Sequence, residues 1–155
     1  MTNEPNFDLD AADQYFSAAC FNAAWELLDR PSRSAEEDER MIRLALSSHW
    51  HSSQRKDCEP TNVSIAHWQT SRIYAVLGQA QNARRYAQLC LAVSQVGDVA
   101  PLYVGYAYEA LARAEMVGGN HEKMEQYLGE ALRIVDTVPD PEAKRWLLDD
   151  LSSLT

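Results

Sequence analysis

The chain has 155 residues, 46% of them hydrophobic, which is enough for one sizeable core and within the usual range of a single domain. Fourteen basic against 23 acidic side chains give a formal charge of −9, opposing the counterion release that drives nucleic-acid binding and the attraction to an anionic membrane, so neither is an expected partner. Six glycines and six prolines fall between periodic segments and leave no room for a sheet built on tight hairpins, and no apolar run approaches the roughly 18 residues a bilayer span needs.

From Asp10 to Asp29 the residues Phe16, Ala19, Cys20, Ala23, Leu27 and Leu28 recur at helical spacing until Arg30-Pro31 stops the run. Ser34 with Glu37 three positions on is a capping box, and acidic residues from Glu36 to Glu39 suit the positive end of a helix dipole, so a second helix is expected over about 35–53. Arg55 and Lys56 would suit its negative end. Pro60 opens a third helix that ends at Gly78. A fourth, with Ala83, Ala87, Cys90 and Leu91 on one stripe, closes at Gly97. Pro101 opens a fifth that ends at Gly118-Gly119, and a sixth carries Met124, Leu128, Ala131, Leu132 and Val135. Asp140-Pro141 pairs an N-cap with proline at the first helical position and launches a seventh through Leu147, Leu151 and Leu154.

An internal offset pairs these helices. Gly78 and Gly119 lie 41 positions apart, and at that offset Ala83 matches Met124, Cys90 matches Ala131 and Leu91 matches Leu132. Setting each glycine at an inter-helix turn places Ser71 and Ala112 at the small packing position of the tetratricopeptide pattern, although Thr70 stands where leucine is usual and Glu115 where an aromatic is. The expected fold is all-α: antiparallel helical hairpins at about 10–55, 60–97 and 100–138, stacked as a short right-handed tetratricopeptide-like solenoid, with a capping helix at 140–154, all in one domain. Excess apolar surface on that last helix, from Trp146, Leu147, Leu148, Leu151 and Leu154, implies burial against the sixth helix, with a homodimer contact as the alternative.

The segments 21–29 (FNAAWELLD), 36–39 (EEDE), 71–78 (SRIYAVLG) and 106–112 (YAYEALA), with the His49-Trp50 pair, resemble a family of small uncharacterised bacterial helical-repeat proteins. Residues 52–56 (SSQRK) depart from that pattern. The resemblance implies a helical-repeat fold in a bacterial cytoplasm and no particular activity. A cytoplasmic setting also suits the acidic first thirty residues, which lack a signal peptide's basic and apolar regions, and three widely spaced cysteines, with Cys20 and Cys90 expected buried on apolar stripes.

No phosphate-binding glycine loop, His-Glu-x-x-His, Gly-x-Ser-x-Gly or Cys-x-x-Cys is present, and no catalytic residue, cofactor or metal is expected. His49 and His51 project about 200° apart on a helix and cannot chelate one ion from one face. Two other groupings remain. His49, Trp50, His67 and Tyr74 suit an aromatic cavity in which an imidazole acts as acid or base, set against plain packing. At the groove positions of the repeat, Ile65, Trp68, Arg72 and Ala75 are matched by Tyr106, Glu109, Arg113 and Met116. Arg72 and Arg113 are thus equivalent, and with Trp68 and Tyr106 beside them they could clamp a carboxylate or phosphate; the competing reading is a structural ion pair between Arg72 and Glu109. These features point to a non-enzymatic binding or adaptor module that receives a peptide or small acidic ligand in a concave groove, with a small enzyme or small-molecule-binding protein as the rival. Arg84 and Arg85 fit a solvated helix face.

Overall fold

A computed structural model describes residues 4–154. Seven helices occur among them and no strand: α1 (Leu9–Leu28), α2 (Ala35–Gln54), α3 (Pro60–Val76), α4 (Ala80–Ser94), α5 (Pro101–Val117), α6 (His121–Val135) and α7 (Pro141–Ser152). No helix among the described residues is long and apolar enough to cross a membrane. The chain divides into two compact units, one ending at Glu59 and the other beginning at Pro60.

In the first unit α1 packs on α2. Asp8 caps α1 by accepting from the backbone N–H of Asp10 and Ala11, and Ser34 and Glu37 form the full capping box of α2. Between the helices Arg33 donates to the carbonyls of Leu27, Leu28 and Arg30, satisfying acceptors that the end of α1 leaves open, and its Nε reaches Asp38 at 2.8 Å. Ala24, Leu27, Met41 and Ala45 are buried, and the Ser48 hydroxyl donates to the Ser17 carbonyl at 2.8 Å. Cys20, expected buried, is half-buried. The apolar residues of α1 are spread over more than one face, with Tyr15 and Phe16 exposed, so the stripe that placed Cys20 is wider than the buried seam. Arg55, expected to serve the end of α2 through its charge, turns instead to Asp57 in a two-bond contact at 2.8 Å each.

In the second unit α3 packs on α4, α5 on α6, and α5 also on α3 and α4. The two glycine turns share one geometry. Gly78 and Gly119 each have φ 73°, and the backbone N–H of the following residue reaches five residues back, Gln79 to Tyr74 at 2.8 Å and Asn120 to Glu115 at 2.9 Å. This double-bonded helix stop needs a left-handed residue, which glycine adopts without steric cost. Small buried residues let the helices approach: Ala75, Ala83 and Ala114 form one cluster, and Ala87 and Ala110 pack with Leu111 in another. The two departures from the tetratricopeptide signature are both buried polar residues with partners. Thr70 bonds the Ala66 carbonyl at 2.9 Å, and Glu115 bonds Arg84.

Helix α7 packs on α5 and α6, burying Leu147, Leu151 and Leu154 with Met124, Ala131 and Val135, while Trp146 and Leu148 stay exposed. Gly105 of α5 makes the close approach possible: a Cβ there would lie 2.5 Å from Leu147 Cδ2.

Candidate functional site

Helical spacing puts Ile65, Trp68 and Arg72 on one face of α3, Tyr106, Glu109 and Arg113 on one face of α5, and Trp146, Asp150 and Ser153 along one side of α7 and its C-cap. Trp68, Arg72, Tyr106, Glu109 and Arg113 all belong to one connected cluster.

Glu109 is its centre and is fully buried. Its Oε1 accepts from Arg72 Nη1 at 2.8 Å and Arg113 Nε at 2.6 Å, and its Oε2 accepts from Trp68 Nε1 at 2.9 Å. Arg72 Nη2 also reaches Asp150 Oδ1 at 3.0 Å, while Arg113 Nη2 donates to the Asp150 carbonyl at 3.1 Å and to Ser153 Oγ at 2.7 Å. Two guanidinium groups are thus matched by two carboxylates, and the charges of the cluster cancel. The ion pair that competed with an external clamp is present, and the anion held between the two arginines is the chain's own Glu109. Such charge-assisted bonds repay the desolvation of a buried carboxylate only because every oxygen is met.

Against this cluster lies a cavity of about 270 Å³. Its walls include four aromatic rings, Trp68, Tyr103, Tyr106 and Trp146, together with Ser64, Ile65 and Leu102. Trp68 and Tyr106 meet edge to face, with centroids 5.2 Å apart and planes at 65°, and the Arg72 guanidinium carbon is 6.0 Å from the Trp68 ring centroid. The Tyr106 phenol is pushed well above its ordinary pKa, first by burial and then by the neighbouring Asp150 carboxylate, so it stays a neutral hydroxyl. Ser64 is spoken for, its hydroxyl lying 2.7 Å from that of Ser94 and 3.6 Å from Cys90 Sγ. Burial raises the Cys90 thiol to about 11, which leaves it an unreactive packing group.

A second buried carboxylate, Glu115, is gripped by both arms of Arg84, from Nε at 2.7 Å and Nη2 at 3.0 Å. That bond is the main cause of the lowered pKa of Glu115. Arg84 is therefore committed across the α4–α5 contact and is not simply a solvated residue. The guanidinium passes close to Gly118, where a Cβ would stand 3.0 Å from Nη2. Arg85 lies over the Tyr86 ring at 5.9 Å.

The other candidate residues fall in separate units. His49 and Trp50 belong to α2 of the first; burial lowers the His49 pKa, Trp50 is exposed, and both border a shallow depression with Leu46 and Ser53. His51 lies 2.7 Å from Asp13. His67 and Tyr74 belong to α3 of the second unit and flank Tyr86, which Tyr74 stacks on at 5.6 Å and 20° and which His67 faces at 6.0 Å and 42°. Among the described residues no group of three or more His, Cys, Asp or Glu is placed to hold a metal.

Asp150, Ser153, Tyr103 and the cavity-lining role of Trp146 were not anticipated from the sequence. The seventh helix has no counterpart under the 41-residue offset, so repeat alignment could not register it against the groove. The usable signal was the position of Asp150 four residues after Trp146, which puts both on one side of α7. Comparison with protein-family models, curated proteins and solved structures returned no match, so the geometry of this cluster and cavity is what bears on function.

Proposed function

We propose that the chain is a non-enzymatic binding module of the cytoplasm, in which antiparallel hairpins stack as a right-handed tetratricopeptide-like solenoid and the aromatic cavity receives one side chain from a peptide segment of a partner protein. The observation that carries this reading is the pairing of an open, ring-walled cavity of about 270 Å³ with a charge-balanced cluster directly behind it. In this reading Trp68 and Tyr106 are contact residues, and Arg72, Glu109 and Arg113 hold their rings in place rather than gripping an external anion. A small acidic ligand is disfavoured because it would have to compete with Glu109, a carboxylate already tethered and desolvated in the correct geometry. Preorganised walls of this kind reduce the ordering cost that binding otherwise incurs. Kinship with the small bacterial helical-repeat proteins belongs to the same proposal, supported by the paired helices and the repeated glycine stops. Dimerisation through α7 is the competing use of exposed Trp146 and Leu148.

A peptide array that includes modified side chains, probed with the native protein and with Ile65→Trp, tests the proposal. The larger ring should fill the cavity from the α3 side. A set of spots bound by the native protein and lost with Ile65→Trp, with helical circular dichroism retained, is the expected result. Identical spots for both proteins, or none, would overturn it.

A further inference from the structure

We infer that the cavity walled by Trp68, Tyr103, Tyr106 and Trp146 is an aromatic cage for a methylated ammonium group. This deepens the preceding reading and rests on the cavity being a binding site. Three kinds of charged group could enter a pocket of this size, and the lining separates them. An anion meets no uncommitted guanidinium: both are turned onto Glu109 and the α7 end at Asp150 and Ser153, and the Trp68 indole N–H is given to Glu109 as well. A primary ammonium carries three N–H donors and a tight hydration shell, which aromatic walls do not replace with acceptors.

A trimethylammonium group has no N–H to satisfy. Its methyl groups bury against ring surface, and its spread positive charge is attracted by the negative faces of the rings. The cluster behind the rings does not oppose it, because Arg72 and Arg113 are balanced by Glu109 and Asp150 within hydrogen-bond distance. The chain's −9 adds a long-range attraction of the right sign. A neutral group of the same shape gains the burial but not the charge–ring attraction, and this difference is the measurable content of the inference.

The test uses the full chain and three probes: choline, its uncharged isostere 3,3-dimethylbutan-1-ol, and the acetylated amide of Nε-trimethyllysine, each titrated by calorimetry and by the indole N–H resonances in NMR. Choline is expected to bind about tenfold more tightly than the alcohol. Trp146→Leu, at a half-exposed position, keeps an apolar side chain but loses the ring, so it should weaken choline more than the alcohol and narrow that ratio. Trimethyllysine binding tighter than choline supports a cage for a modified protein side chain; the reverse order supports a cage for a free quaternary amine. Equal affinity for choline and the alcohol overturns the cage but not the binding cavity. If none of the three probes shifts the indole signals, the cage is overturned, and an array in which spots still depend on Ile65 would show that the peptide-binding reading survives without it.

Discussion

Glu109→Gln changes one atom type at the centre of the cluster and keeps the side chain's shape. Glu109 is fully buried and accepts charge-assisted bonds from Arg72, Arg113 and the Trp68 indole. The amide must either turn its NH2 toward a guanidinium or present its single oxygen to both, so at least one strong bond is lost and Asp150 alone remains to balance two cations. Breaking a buried ion pair from one side costs roughly 3–5 kcal/mol. The Arg72 and Arg113 side chains keep 18% and 11% of their exposure, which lets water recover part of that, so the lower end, about 3 kcal/mol, is expected. For a chain of this length that corresponds to a fall in melting temperature of roughly 6–12 °C. Urea denaturation followed by tryptophan fluorescence reads the change. Glu130→Gln is the internal control: its pair with Arg133 is exposed at both ends, and its removal should cost less than about 0.5 kcal/mol. If Glu109→Gln costs no more than Glu130→Gln, the cluster is effectively solvated and cannot be what holds the Trp68 ring.

Two further outcomes follow from the packing and from the second buried pair. Gly105→Ala forces a Cβ to within 2.5 Å of Leu147 Cδ2 and should destabilise the protein by about 1–3 kcal/mol in thermal melts, and it should cost less when added to Leu147→Ala than to the native chain, since the smaller residue removes the clash. Glu115 has its carboxyl lowered by the Arg84 bond, so the pair's stabilisation is complete above the ordinary glutamate range near pH 4.5 and disappears as the pH falls through the lower folded value. Arg84→Met should therefore flatten the decline of melting temperature with acidity below pH 4.5, and an unchanged slope would show that other carboxylates govern acid unfolding.

Helix positions were legible because they are written in local chemistry. Ser34 with Glu37, Asp140 before Pro141, and glycine at 78 and 119 each meet a need of the backbone within a few residues, and each occurs in the structure where the pattern places it. The partners of buried charges were not legible in the same way. The repeat register offers Arg72 with Glu109 as one of two readings, whereas residue type alone marks Glu115 and Arg84 as surface groups, and only the crossing of α3, α4 and α5 shows that both carboxylates are buried and that Arg84 meets Glu115. Cys20 failed for a related reason: α1 carries apolar residues on several faces, and periodicity cannot say which of them is covered.

The 41-residue offset explains why the cluster takes this form. Where α3 lies along α5, equivalent positions become neighbours, and the bond from Trp68 to Glu109 joins two residues separated by that offset. The same register brings Arg72 beside Arg113, an arrangement that like charges in a partly dry contact would resist. Glu109, one helical turn before Arg113, supplies the shared acceptor, and α7 supplies Asp150 on the other side. Two neighbouring arginines thus become tolerable when one carboxylate from α5 and one from α7 close around them. The Trp68 indole, bonded to that same central carboxylate, inherits a fixed orientation, so the ring wall of the cavity is set by electrostatics as well as by packing.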